Sequence, residues 1–435
     1  MNVNLRQANQ PSDNSIWQGL LYGLLGLPLA FVALPIYVYL PNLYASEYGM
    51  SLATLGAVLL IARLFDAVSD PWLGRVSDRI YSGSVRKVFV VSNISALVLV
   101  LGMVLLLFPP WTRPDNSFAL LTSLMITGLA FSMLTITHQA WGAQLGGNEI
   151  QRARIVAWRE AAGLIGVILA TVLPNWLGWD KWIAVFALTL ALGCLTWSRS
   201  ITPPQTTPVQ HKSLLEDLLH PWRKPPFRRL IAVFVLSGMA SAIPATLVLF
   251  FIQDLLKAPG YEPIYLSTYF ISAALSIPLW IKVVARWGLQ RSWLMGMILS
   301  VTIFFWAGKL TSGDLLGFWW VCLFSGLALG SELTFPAALL ADIIAKCGDR
   351  GQRDGAYFGW WNMASKLNLA LAAGLSLPLL EWLGYIPGSS SQKGLEALTL
   401  VYAVLPCTLK VLAAIAIYLA FVRPPSPVLS TMEEV

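Results

Sequence analysis

The sequence predicts an all-α membrane protein of twelve transmembrane helices set out as two six-helix halves. Three observations lead there. Of 435 residues, 57% are hydrophobic and only 12% charged, and mean hydropathy is +0.66, where a soluble domain carries roughly 25% charge. Apolar runs recur from Ile16 to Phe421, each near the roughly 20 residues that cross a hydrocarbon core as a helix. Basic residues crowd into alternate segments between the runs, as membrane topology demands.

The polar stretch Met1 to Ser15 leads straight into the first run, so no cleavable signal peptide is expected. Spans follow at approximately 17–43, 52–76, 88–108, 118–144, 155–178 and 182–199, then 228–253, 264–285, 292–310, 316–345, 356–383 and 398–421. With both termini cytoplasmic, 20 of the 29 lysines and arginines fall on the cytoplasmic side. Arg113, Lys181, Lys257, Lys309 and Lys393 fall opposite, and Arg63, Arg159, Lys366 and Lys410 lie inside spans. One missed helix would scramble this alternation, so the bias also supports the span count.

The 26 prolines and 33 glycines are tolerable in helices that pack against one another in lipid. The segment 201–226 is the longest polar stretch, with Pro203, Pro204, Pro208, an amphipathic piece from Ser213 to His220, and Lys224-Pro225-Pro226. It divides the chain into 1–200, a cytoplasmic linker 201–226, and 227–435. A loose repeat relates the halves: Ser69-Asp70-Pro71-Trp72 followed by Arg75, Asp78 and Arg79, and Ser276-Ile277-Pro278-Leu279-Trp280 followed by Lys282 and Arg286. Two six-helix repeats around a midplane site is a recurrent transporter architecture.

Composition excludes several classes. The net charge of +7 sits in short loops rather than on a basic face, so no nucleic-acid partner is expected. Cys194, Cys322, Cys347 and Cys407 form no metal-ligand spacing and read as unpaired packing residues. The histidines are His138, His211 and His220, and no nucleophile with its base and no phosphate-binding glycine loop appears. An enzyme is therefore not expected. A membrane-embedded lipid-modifying enzyme would need a His–Asp pair, and His138 has no such partner nearby in sequence.

Charge inside the membrane costs at least about 2.5–3.5 kcal/mol per residue, so each case needs a reason. Arg63, Asp66 and Asp70 stand three and four residues apart, on one helical stripe. Two close carboxylates in apolar surroundings take a proton or share a cation; alternatively, Arg63 neutralises one of them in an ion-pair lock. Lys366 needs a carboxylate partner, and the second span offers the best ones. Arg159 reads either as a substrate ligand or as a partner of Glu160, and Glu332 as a hydrogen-bonded interior carboxyl. The run Thr135 to Gln144, holding Thr137, His138 and Trp141, is the most polar stretch at membrane depth. It reads as a cavity lining in which Trp141 offers a face to a sugar ring or other amphiphile.

The stretch Ile61 to Pro71, with its Asp-x-x-x-Asp-Pro core, resembles the second-helix signature of the glycoside–pentoside–hexuronide:cation symporters of the major facilitator superfamily. Gly74, Asp78, Arg79 and Arg86-Lys87 resemble the superfamily's loop motif between helices two and three. The stretch Gln151 to Arg154 resembles its basic loop, Ala341-Asp342-Ile343 with Gly351-Gln352-Arg353 its tenth-to-eleventh helix loop, and Lys366 its eleventh-helix lysine. The resemblance implies a twelve-helix major facilitator fold and a multi-pass protein of the bacterial inner membrane. It implies cation binding, Na⁺ or H⁺, at Asp66 and Asp70, with Lys366 and Arg63 as coupling partners and Gly74, Asp78 and Arg79 as a gating loop. Substrate contacts would come from Trp141, Arg159 and Lys366, with Thr137 where relatives carry a sugar-binding aspartate.

Two departures bear on substrate. The first helix reads Leu27-Pro28-Leu29-Ala30-Phe31, with no acid where sugar-transporting relatives have one, and Thr137 replaces a second. Lost acceptors weaken the case for hydroxyl recognition. The expected function is cation-coupled symport of a glycoside or other sugar, with a lysolipid or other amphiphile as the alternative. No cofactor beyond the coupling ion is expected. The partners are substrate and membrane lipid, and the unit is a monomer.

Overall fold

The computed structural model describes residues 16–40, 43–44, 48–110, 117–203, 214–388 and 391–423. Met1 to Ser15 with Arg6, Arg113, and Pro204, Pro208, His211, Lys212 and Ser213 lie outside the described residues. Twelve helices cross the molecule: α1 (16–39), α2 (Leu52–Gly83), α3 (Val85–Leu107), α4 (Ser117–Leu145), α5 (149–177), α6 (179–198), α7 (Pro225–Leu255), α8 (262–287), α9 (289–307), α10 (Leu315–Lys346), α11 (Asp354–Trp382) and α12 (Gln392–Val422). Among the described residues the fold is all-α, the arrangement expected of a major facilitator fold, with α1–α6 and α7–α12 as its two halves.

Several helices run past their apolar stretches, because apolarity marks the lipid depth and capping marks the helix end. The residues expected to form a loop after the second span, Gly74 to Arg79, are helical turns of α2, which stops only where Ser84 caps the next helix through Lys87 N at 3.3 Å. Similarly, Gln151 to Arg154 open α5 rather than forming a loop. Asn148 accepts from Gln151 N at 2.9 Å while the Gln151 side chain accepts from Asn148 N at 3.3 Å, a reciprocal capping box. The corners α5–α6 and α8–α9 each consist of one glycine, Gly178 (φ 76°) and Gly288 (φ 77°), in the left-handed half of backbone space that a β-carbon disfavours.

The loose repeat has structural counterparts. Pro71 and Pro278 both sit inside the second helix of their half. α1 and α7 both end in a wide π turn, Pro35–Tyr39 and Phe251–Leu255.

Packing distinguishes the two ends of the molecule. At the end carrying the basic loops, Ile136, Ala140 and Ala143 of α4 and Ala153 and Val156 of α5 share one apolar cluster with α7, α10 and α11 of the other half. Nearer mid-depth, Ala157 and Leu164 of α5 pack with Ala273 and Ile277 of α8; beyond them the halves keep separate clusters, one running through α1 to α6 and one on α7 to α12. The halves therefore close on each other at the basic end.

Candidate functional site

Helix geometry sets the depth of the site. Asp66 and Asp70 are four residues apart and so share a face of α2. Asp70 lies about 20 Å from the basic end of α2, and Lys366 about 18 Å from the start of α11, at 1.5 Å per residue. The ammonium of Lys366 stands 2.8 Å from Asp66 Oδ2, 2.8 Å from Asp70 Oδ2 and 2.9 Å from Asp70 Oδ1. It also donates to Ser132 Oγ of α4 at 2.7 Å, and that hydroxyl donates to Asp66 Oδ1 at 2.9 Å. One cation, carried by α11 of the second half, is thus ringed by oxygens from two helices of the first half, α2 and α4.

The cluster carries two negative charges against one positive. Asp70 is fully buried, whereas the side chains of Asp66 and Lys366 remain 13% and 20% exposed, so it is reached from one side. A cavity of about 60 Å³ lined by Val32, Ile36, Leu59, Arg63, Asp66 and Phe131 adjoins Asp66. Arg63 therefore lies on the same stripe, at the margin of the cluster. An ammonium between two carboxylates does what a metal cation or a proton could also do there, since all three offset charge on the same oxygens.

Glycines allow the helices to meet. A β-carbon at Gly74 would fall 2.0 Å from Gly355 O, and one at Gly359 would fall 2.5 Å from Asp70 O. Such close backbone approach is how helices associate where lipid gives no hydrophobic drive. With the backbones this near, the Asp78 carboxylate reaches the start of α11, accepting from Gly355 N at 2.6 Å and Ala356 N at 2.9 Å. It satisfies amides that the helix start leaves unpaired. Arg79, its neighbour, is exposed.

More polar contacts surround this closed end. Arg152 of α5 pairs with Asp342 of α10, Arg350 donates to Gln144 O, and Glu149 accepts from Leu289 N at 3.0 Å. The short helix Leu214–Leu219 between the halves brings Asp217 to 2.5 Å from Arg75 and 3.5 Å from Arg353. His220 follows it, with Nε2 3.0 Å from Asp349 Oδ1. Burial lowers the His220 pKa despite the carboxylate, so at neutral pH the contact is a hydrogen bond of the neutral ring. These contacts join the halves at this end, and the Lys366 cluster joins them at mid-depth.

The remaining expected site residues sit elsewhere. Thr137 is buried and accepts from Ser77 Oγ at 3.1 Å, joining α4 to α2. Trp141 is 1% exposed, donates to Ile201 O at 3.3 Å, and packs against Tyr81, Phe89 and Trp197 inside the first half. His138 stacks on Tyr22 at 4.3 Å and exchanges hydrogen bonds with it, at 2.9 and 3.0 Å, which pins α1 to α4. Arg159 holds Glu160 Oε1 at 2.6 and 3.1 Å. The structure brings Asp66, Asp70 and Lys366 together and leaves Thr137 and Trp141 as packing within one half. Sequence reasoning missed Ser132, Gly355, Gly359 and Asp217. The one available signal was the spacing of Gly355 and Gly359, a small residue every fourth position.

The profile of the family described as MFS/sugar transport protein matches residues 21–422. The inner membrane symporter YicJ of Escherichia coli (strain K12) is 23% identical over 424 residues, covering 87% of this chain and 86% of that protein. The glucuronide carrier protein homolog of the same organism is 23% identical over 413 residues, covering 88% and 87%. Among solved structures, a bacterial homologue of the iron transporter ferroportin in its outward-facing state aligns with a TM-score of 0.71 and 14% identity, over 93% of this chain and 99% of that one. That last likeness is one of fold.

Proposed function

The chain belongs to the MFS/sugar transport protein family, and from that premise we propose that it is a secondary active symporter coupling Na⁺ or H⁺ to an organic solute, a glycoside or other sugar first. One observation carries the reading: a single ammonium, that of Lys366, fills a midplane site built from two carboxylates and a hydroxyl. An arriving cation and the ammonium compete for the same oxygens. Exchange of one for the other leaves the site's charge unchanged, so its main consequence is where Lys366 goes. Released, Lys366 becomes a donor for substrate, and binding of ion and substrate are coupled in both directions. The coupling ion is the only cofactor in this reading, and the monomer is the working unit.

The halves, 1–200 and 227–435, would rock about this site, with 201–226 connecting them. Substrate contacts fall to Arg159 and Lys366. Thr137 and Trp141 support them from within the first half by fixing α4 against α2 and the end of α6. The excess of lysine and arginine supports a cytoplasmic closed end and cytoplasmic termini, and in that topology this conformation faces outward. An impermeant thiol reagent on intact cells is then expected to label Lys393→Cys and spare Arg286→Cys; the reverse pattern would invert the topology.

A second reading rests on the apolar face of α1 and the cavity of Val32, Ile36, Leu59 and Phe131 beside Asp66, which suit an acyl chain. A thermal-stabilisation screen of the purified protein against glycosides and lysolipids, with and without Na⁺, separates the two. Hits that depend on acyl length would move the assignment to an amphiphile. With the substrate in hand, Asp66→Asn is expected to abolish accumulation driven by an imposed Na⁺ or H⁺ gradient in vesicles. Undiminished accumulation would remove the carboxylates from the coupling role.

A further inference from the structure

The symport reading makes no use of the other charged group buried at membrane depth. In the second half, Lys410 of α12 lies 3.2 Å from Glu332 Oε1 of α10 and donates to Ser237 Oγ and Ser241 Oγ of α7, both at 2.9 Å. Glu332 also accepts from Ser237 Oγ at 2.7 Å and from Trp293 Nε1 at 3.2 Å. Each charge is paired and hydrogen-bonded, so the group is neutral as a unit. Ion pairs of this kind give little net stability compared with apolar packing, and inside a membrane they mark function by default.

This pair lines the floor of a partly open cavity of about 170 Å³ bounded by α7, α8, α9, α10 and α12. Its walls are mostly apolar, and six aromatic rings line them: Tyr265, Tyr269, Phe270, Phe304, Phe318 and Tyr402. Ser300 and Tyr269 add hydroxyls. Tyr402 belongs to the π turn Leu400–Val404 and stacks at 4.0 Å on Phe251, the first residue of the π turn in α7. Facing π turns widen the helices where the cavity needs room, and such turns are frequent at functional sites.

Size, wall chemistry and charge select the occupant. An apolar cavity of about 150 Å³ takes a benzene ring, so this one holds a monocyclic aromatic and little more. Aromatic walls favour a ring through offset and edge contacts. A saturated, neutral floor leaves no counter-charge for an ion, while hydroxyls can meet one polar substituent.

We propose that this cavity is a second binding site, separate from the Asp66, Asp70 and Lys366 cluster, for a small uncharged aromatic molecule of the phenol class. The test is ¹⁹F NMR of 4-fluorophenol with the full-length protein in detergent. The wild type is expected to give a saturable bound signal, and 4-fluorobenzoate none. Cys322→Phe on α10 and Cys407→Phe on α12 fill the cavity from two different helices, and each is expected to abolish the signal while still melting cooperatively. In the wild type, 4-fluorophenol should also slow modification of Cys322 and Cys407 by a neutral thiol reagent, and leave Cys194 and Cys347 unaffected. No saturable signal, a signal that persists in a folded filled variant, equal binding of the benzoate, or no protection of Cys322 and Cys407 would overturn the proposal.

Discussion

Lys366→Met is expected to make the stability of the purified protein depend on an added cation. The wild-type ammonium pairs with both Asp66 and Asp70, at 2.8 Å each. Methionine keeps the length of the side chain and removes the charge, which leaves two carboxylates of which Asp70 is fully buried. Breaking a buried pair by deleting one partner costs about 3–5 kcal/mol, against a total of about 5–15 kcal/mol for a typical domain. In buffer with a bulky organic cation, the variant should therefore melt well below the wild type.

Sodium at a hundred times its dissociation constant would return about 2.7 kcal/mol by mass action, which is most of the loss. The wild type should respond less, because its ammonium already holds the site. If the coupling ion is a proton, acid alone restores the variant and sodium does not. Melting followed by intrinsic tryptophan fluorescence across Na⁺ and pH series checks this. A variant that melts like the wild type without Na⁺, and ignores both ions, would show that the three residues only pack.

Asp66, Asp70 and Lys366 were legible in the sequence because charge at membrane depth is costly, so each case calls for a partner. The four-residue spacing fixed a shared face, and the partner for Lys366 followed from two halves that must face each other. Ser132 was not legible: a serine in an apolar helix is ordinary, and only the approach of α4 gives it two charged neighbours. The Lys410–Glu332 pair was half legible, since both charges stood out but nothing local joins residues 78 positions apart. Thr137 and Trp141 show the opposite limit. Their run is polar, yet these two side chains spend their polar atoms on Ser77 and Ile201 within the same half. The ends of α2 and α5 were misplaced for a related reason, since hydropathy reports lipid depth and not where a cap stops the helix.

Gly359→Ala is expected to open the closed end and stop transport, although by propensity alone it should stabilise α11 by about 1 kcal/mol. The added carbon would stand 2.5 Å from Asp70 O and 2.8 Å from Pro71 Cα. Both are backbone atoms of α2, so no side chain can swing aside. The helices must separate by about 1 Å, and packed interfaces answer such shifts by switching rather than by stretching. The neighbouring contacts go with them: Asp78 on the amides of Gly355 and Ala356, and Asn362 Nδ2 on Gln139 Oε1 at 2.6 Å. Gly374 of the same helix is the control, because a β-carbon there meets nothing within 4 Å. Spin labels at the exposed Arg86→Cys and Lys282→Cys, one in each half, report the separation by pulsed electron resonance. Gly359→Ala should move the distance distribution outward and cut turnover, while Gly374→Ala leaves both unchanged. Unaltered distances with normal turnover in Gly359→Ala would mean that the α2–α11 contact does not hold this end shut.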